Sequence, residues 1–259
     1  MGFLGAGAGV IAGVVLAAGA GLVGGAMNAL AGGGTFATLP ALIALGLPAN
    51  LANATSNVAL LPGAATSAWA FRDELGPIGG VRARALGAIT FAGGLVGSLL
   101  LVLTPTRTFD VLIPWLLLLA FLVIAFGKRA AAWLHERVTI GRRSLMGAQA
   151  VLGIYGGYFG GGVGLMTTAT YGLLAGTPPR ELFAVRTLML AIANLAAAIL
   201  FIGFGLVRWW ACLPMLAGAI LGGWLGAVIG KRLPARAVRW WTLGVTAATT
   251  AVFFWRAYG

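Results

Sequence analysis

Acidic residues are almost missing from this sequence. Five Asp and Glu stand against 17 Lys and Arg in 259 residues, and charged residues of both signs make up only 8%. A soluble domain of this length carries about 25% charge to cover its surface. The acids, Asp73, Glu74, Asp110, Glu136 and Glu181, fall in loops or at helix ends. That placement excludes a buried carboxylate pair and an intramembrane carboxylate proton relay. One cysteine, Cys212, and one histidine, His135, exclude an internal disulfide framework and leave too few ligands for a Cys/His metal site. Both are read as bystanders, His135 in a basic loop. A P-loop is missing too, so nothing points to ATP drive, and no cofactor is called for.

Apolar residues are what the chain does have. They make up 60% of it, in runs of bilayer-spanning length from end to end. The N-terminus lacks the basic stretch of a cleaved signal peptide and reads as the start of a retained helix. Glycine is abundant, at 42 residues, as suits membrane helices that pack backbone to backbone. Apolar runs, Pro/Gly breaks and charge clusters predict ten helical segments near 6–28, 34–47, 50–71, 82–104, 110–127, 143–160, 162–176, 180–204, 208–230 and 235–257. The second and seventh are short: at ~1.5 Å per residue they cover about 20 Å of a ~30 Å hydrocarbon core. Each follows a glycine cluster, Gly32-Gly33-Gly34 or Gly160-Gly161-Gly162, and is expected to begin at mid-depth.

The basic residues sit in short loops between apolar runs, which argues against nucleic-acid binding. If all ten segments cross, thirteen of the 17 basic residues fall on one side and three on the other, with Arg186 alone inside a helix. That bias predicts basic loops in the cytoplasm and both termini outside, in a bacterial inner membrane. Trp69, Trp115, Trp209, Trp210, Trp240, Trp241 and Trp255 fall near predicted helix ends, where indole prefers the interface.

The sequence also repeats. Shifted by 130 positions, Gly32 and Gly34 fall on Gly162 and Gly164, Gly46-Leu47-Pro48 on Gly176-Thr177-Pro178, and Phe71 on Phe201. Five crossings per copy force the second copy to enter the membrane inverted, the plan of many secondary transporters with a site between the repeats. The expected fold is therefore an all-α integral membrane protein: residues 1–128 as the first five-helix repeat, 129–142 as a basic cytoplasmic loop, and 143–259 as the second, inverted repeat. Chance self-matching of Gly-rich apolar sequence is the competing explanation.

Two segments carry a family resemblance. One is Ala31-Gly-Gly-Gly-Thr-Phe-Ala-Thr-Leu-Pro-Ala-Leu, then Gly46-Leu-Pro, then Asn53-Ala-Thr-Ser-Asn57. The other is Gly160-Gly-Gly-Val-Gly-Leu, then Gly176-Thr-Pro, then Ala184-Val-Arg-Thr187. Together they resemble the sulfite exporter TauE/SafE family, also called the 4-toluene sulfonate uptake permease family. Gly32, Gly33, Gly34, Pro40, Gly46, Pro48, Thr55 and Ser56 match its pattern in the first repeat, and Gly161, Gly162, Gly164, Gly176 and Pro178 in the second. Two positions depart from it. Val185-Arg186-Thr187 stands where Gly-Thr-Ser is usual, and Arg208 replaces an acid in Gly205-Leu-Val-Arg-Trp209. The resemblance implies transport of a small sulfur-containing anion such as sulfite, or of a sulfonate or other organic anion.

Physical reasoning selects the same segments. A glycine break frees backbone N–H groups at the next helix N-terminus, where groups and dipole favour an anion. Irregular backbone at that depth survives only when buried or lining a cavity. Gly32, Gly33, Gly34, Thr35, Gly161, Gly162 and Gly164 are therefore candidate substrate contacts, with close helix packing as the other use. Arg186 costs ~2.5–3.5 kcal/mol at a bilayer centre on insertion scales. Its fork suits a sulfite or sulfonate head; it could instead snorkel to the surface or bind helix carbonyls. Asn50, Asn53 and Asn57 share one helical face, with Thr55 and Ser56 beside it. They could hold an anion or bond between helices. Thr187 and Asn194 complete the second-repeat set, and Asn28 and Tyr158, which coincide under the shift, are weaker candidates. Gly218, Gly222, Gly226 and Gly230 form a packing ladder, within the protomer or in a homodimer.

The expected function is alternating-access transport of a small anionic substrate. With no buried acid, it runs either as uniport or coupled through the substrate's own protonation. A passive anion channel, a carrier for a cation or neutral solute, and a membrane-embedded enzyme are the alternatives.

Overall fold

The computed structural model describes residues 2–135, 141–177, 181–230 and 235–259. Ten α-helices follow one another: α1 Gly2–Leu30, α2 Thr35–Ala44, α3 Ala49–Ala70, α4 Ala83–Leu103, α5 Thr106–His135, α6 Arg142–Tyr158, α7 Val163–Ala175, α8 Phe183–Gly203, α9 Trp209–Gly230 and α10 Ala235–Tyr258. No strand occurs among the described residues, only an isolated bridge between Ile78 and Val81.

Each expected segment is matched by a helix, with one notable difference. α5 runs on to His135, into the segment expected to be a loop from residue 129. Lys128-Arg-Ala-Ala-Ala-Trp-Leu-His135 holds no proline or glycine to stop it, and most of these residues favour helix. Glu136 and Arg137, and likewise Pro178, Arg180, Lys231 and Arg232, lie outside the described residues.

Five helices are long and apolar enough to cross a bilayer: Gly9–Leu30, Ala83–Leu103, Thr106–Gly127, Phe183–Gly203 and Trp209–Ile229. α2 and α7 are short apolar helices of 10 and 13 residues. α3 has the length, but Asn, Thr and Ser dilute its hydropathy. Its polar residues Asn53, Thr55, Ser56 and Asn57 are all buried inside the protein, so this helix meets other helices along that face. The outer surface is instead crowded with exposed Val, Leu, Ile and Trp, among them Ile11, Leu103, Leu213 and Trp224. Exposed apolar surface on that scale is what a lipid-facing protein carries.

Glycine seams hold the helices together. On α9, a Cβ at Gly222 would sit 1.8 Å from the Leu22 carbonyl oxygen, and one at Gly218 2.0 Å from that of Ala18. Gly226 meets Ala26 in the same way, so Gly218, Gly222 and Gly226 of the glycine ladder pack on α1 within the protomer. α4 and α6 are joined likewise: a Cβ at Gly97 would sit 1.9 Å from the Ile154 carbonyl oxygen. Only glycine admits such backbone contact. α3 and α8 pack on each other at the centre, α3 also on α9 and α8 also on α4.

Candidate functional site

The two glycine breaks meet. α1 ends at Leu30 and the chain turns through Gly32 at φ 79°; α6 ends at Tyr158 and turns through Gly160 and Gly162, both at φ 76°. These are left-handed conformations that side-chain-bearing residues resist. A Cβ built on Gly32 would lie 2.7 Å from Gly164 Cα, and one on Gly164 would lie 2.9 Å from Gly32 Cα. Phe36 of α2 packs over Gly33 and Gly162 together. The starts of α2 and α7 thus meet at Gly32 and Gly164, with Gly33 and Gly162 under the same Phe36 ring, whereas Gly34 packs back on Gly24 and Asn28 of α1 and Gly161 on Phe159.

The two helix starts differ. Asn28 Oδ1 accepts a 2.7 Å hydrogen bond from the Gly34 N–H, and the N–H groups of Phe36 and Ala37 bond back to Gly33 and Gly34 carbonyls. α2 is therefore capped from within the chain. At α7, Met166 N–H is the first to bond backward, to the Gly162 carbonyl. Among the described residues, the N–H groups of Gly161 to Leu165 donate to no protein acceptor. Free N–H groups at a helix start attract anions.

The polar face of α3 lies against the second break. Asn53 Nδ2 donates to the Tyr158 carbonyl at 3.1 Å, and Asn57 reaches Gly160 one turn later. The Oδ1 atoms of both asparagines are buried without a hydrogen-bond partner. Thr55 and Ser56 are differently employed: Thr55 Oγ1 accepts from the Arg208 N–H at 3.0 Å, and Ser56 bonds to Thr38 of α2. Asn50 accepts from Thr106 at the start of α5. The Tyr158 hydroxyl reaches Thr104 at 3.3 Å, away from the junction.

Arg186 is 8% exposed. It donates from Nη2 to the Leu30 carbonyl at 3.2 Å, and its guanidinium stacks 4.4 Å from the centre of the Phe183 ring. Of the three uses open to it from sequence, the bond to a helix carbonyl is the one seen, at the C-terminal end of α1, where a cation also meets the helix dipole favourably. Thr187 bonds locally to the Phe183 carbonyl, and Asn194 is buried two turns further along α8.

Several residues were invisible to sequence reasoning. Tyr155 donates to the Gly161 carbonyl at 2.9 Å and braces the second break. Thr167, one turn into α7, has a buried hydroxyl without a partner. Tyr171 donates to Gln149, which donates to Thr90, a buried chain linking α7, α6 and α4. Tyr155 is one turn before the glycine cluster, a spacing that could have flagged it; the others carry no local signal.

The sulfite exporter TauE/SafE profile matches residues 16–253. A "Probable membrane transporter protein" of Haemophilus influenzae is 31% identical over 200 residues, covering 75% of this chain and 76% of that one. The "Probable membrane transporter protein YfcA" of Escherichia coli K12 is 26% identical over 88% of this chain and 84% of its own. The "Probable membrane transporter protein ORF9" of a Sinorhizobium species is 28% identical over 77% of this chain and 75% of its own. No solved structure matches significantly.

Proposed function

The chain belongs to the sulfite exporter TauE/SafE family, whose members are membrane transporters and not enzymes, and on that premise we propose that it is a secondary transporter of a small anion. The proposed substrate is sulfite, a sulfonate or a related sulfur-containing or organic anion, held between two inverted repeats that alternate access. The observation that carries this reading is the junction of Gly32 with Gly164. It brings two helix starts to one point, with uncapped N–H groups on the second, and the reading sets that point within the membrane. Asn53 and Asn57 flank that point, and Arg186 holds the other break by one of its N–H groups.

The repeat is supported by geometry that composition alone would not produce. Gly32 and Gly162, 130 positions apart, both turn left-handed, and so do Gly46 and Gly176. Helix packing follows the same exchange of each helix for the one five places on. α1 on α9 corresponds to α6 on α4, α3 on α9 to α8 on α4, and α1 on α2 to α6 on α7. The pairs are not all equal: α7 packs broadly on α5, while its counterpart α2 touches α10 lightly. Unequal halves are what alternating access uses, since exchanging their conformations moves the opening from one side to the other.

Ten crossings, with both termini outside a bacterial inner membrane, remain the topology that best fits the loop charges. The short α2 and α7 then count as crossings completed by their flanking turns. The test is reconstitution in liposomes with sulfite, thiosulfate and a short sulfonate, against protein-free liposomes. Saturable flux with counterflow supports a carrier. Non-saturating flux without counterflow makes it a channel, and absence of flux for every anion removes the substrate class.

A further inference from the structure

The helices fall into two bundles that do not follow the halves of the sequence. α1, α2, α3 and α9 pack on one another, and so do α4, α6, α7 and α8. Each bundle thus takes one helix, α9 or α4, from the other half of the chain. Glycine locks each bundle within itself: a Cβ at Gly21 would run into the Met215 carbonyl, and one at Gly157 into that of Gly94. The ties between the bundles are of another kind. They meet along α3 and α8, where no glycine brings the two backbones together, and at the Gly32–Gly164 contact. Among the described residues only two side-chain hydrogen bonds cross, from Asn53 to the Tyr158 carbonyl and from Arg186 to the Leu30 carbonyl. Bundles locked inside and tied to each other at few points are the parts that can rock in alternating access.

One aromatic pair spans that boundary. Phe71 caps the end of α3 and Phe183 opens α8, and their rings meet edge to face with centroids 4.6 Å apart. Both are half-buried, and Arg72, Asp73, Glu74 and Glu181 beside them in the chain are exposed. Neither ring is part of the buried apolar cores. The buried guanidinium of Arg186 stacks on the same Phe183 ring, so that ring stands between the exposed rim and the cation. The repeat shows how the other end differs. A shift of 130 positions carries Phe71 onto Phe201 and Asn53 onto Phe183, at opposite ends of the same two helices. Phe201 and Asn53 are wholly buried. One end of the α3–α8 seam is shut by core packing, the end beside Arg72, Arg82 and Arg84 by a single pair of half-buried rings.

We infer that Phe71 and Phe183 are the gate of the transport path on the basic face, and that it opens when the two bundles part there. An edge-to-face pair adds little beyond the burial of its rings, so it can break and re-form in every cycle. Parting the rings uncovers Arg186 to a solute entering from that face. This rests on the carrier reading above, whatever the solute.

The test needs no known substrate. Thr187 is buried one turn past Phe183 on the same face of α8. Thr187→Cys, in the full chain with Cys212→Ala, would report access to a charged methanethiosulfonate added to one face or the other of sealed vesicles. With both rings present, labelling should be slow from either face. Phe71→Ala should speed it about tenfold or more from the face of Arg72, Arg82 and Arg84 and leave it unchanged from the other. Phe71→Trp should keep it slow. Unchanged labelling in both Phe71→Ala and Phe183→Ala, with saturable flux intact, would overturn the gate and leave the carrier standing. Labelling raised equally from both faces would mean a loosened fold and overturn it as well. Fast labelling from the basic face with both rings in place would show a path open despite them, with the same result. If an Ala variant fails to fold, Phe71→Val decides by the same readout. Labelling requires no flux, so these outcomes stand apart from failure of the carrier reading, which the flux assay decides.

Discussion

Gly32 and Gly164 touch backbone to backbone, so closely that a Cβ on either would lie within 3 Å of the other's Cα. Gly32 needs its left-handed φ as well; Gly164 is helical and needs only the space. Gly164→Ala therefore isolates the close approach. We expect it to destabilise the fold by about 1–3 kcal/mol, as overpacking does, and to cut anion flux by about tenfold or more. Gly19→Ala on α1, where a Cβ meets nothing within 4 Å, should leave both unchanged. Thermal unfolding in detergent and liposome flux measure the two effects. Normal flux in Gly164→Ala would mean that the junction is not part of the transport path.

Arg186 and the Leu30 carbonyl give the second prediction. Arg186→Ala leaves a half-buried helix-end carbonyl unpaired and removes the cation beside it, which should cost about 1–3 kcal/mol of stability and about tenfold or more in flux. Arg186→Lys keeps the charge but not the fork. If the residue only clamps α1, Lys should restore stability and maximal flux together. If it also touches substrate, Lys should restore stability while half-saturation for sulfite stays raised.

The Asn28 cap yields a charge test. Asn28→Ala uncaps α2 and should cost about 1 kcal/mol. Asn28→Asp keeps the acceptor and places a carboxylate at the Gly34 N–H, where the helix dipole favours it. The fold should hold, but the new charge should repel an anion at the junction and raise half-saturation several-fold, more at low salt than at high. A salt-independent result would place the anion far from α2.

How much of this was legible in the chain depends on range. The breaks were readable because Gly32-Gly33-Gly34 and Gly160-Gly161-Gly162 interrupt apolar runs, and the helices follow the segments those runs predict. That the breaks would touch followed only from the expectation of an inverted repeat, and no local pattern names Gly164 as the partner of Gly32. Arg186 was conspicuous as a charge in a helix, but its partner is a backbone carbonyl 156 positions away, which a sequence cannot mark. The inequality of the two helix starts was hidden for a different reason. Asn28 and Tyr158 coincide under the repeat shift, yet one side chain is short enough to turn back on Gly34 and the other points to Thr104.

The last prediction concerns the chain of hydroxyl and amide groups that no local pattern revealed. Tyr171 donates to Gln149 Oε1 at 2.7 Å, and Gln149 Nε2 donates to Thr90 at 2.6 Å. All three are buried and lie on three different helices. Tyr171→Phe removes one hydroxyl with little change of shape and leaves the Gln149 oxygen without its donor, at a cost of about 1–3 kcal/mol. Tyr158→Phe removes a hydroxyl from a half-buried ring with a longer bond, and should cost under about 1 kcal/mol. Thermal unfolding in one detergent should therefore rank Tyr171→Phe well below Tyr158→Phe. Because both substitutions delete one oxygen from the same residue type, the difference reports burial and network membership alone. A double variant, Tyr171→Phe with Gln149→Leu, should recover part of the loss, since it removes the orphaned Gln149 oxygen while the Thr90 hydroxyl keeps its bond to the Leu86 carbonyl. If the double variant is no better than Tyr171→Phe alone, the three groups do not act as one network.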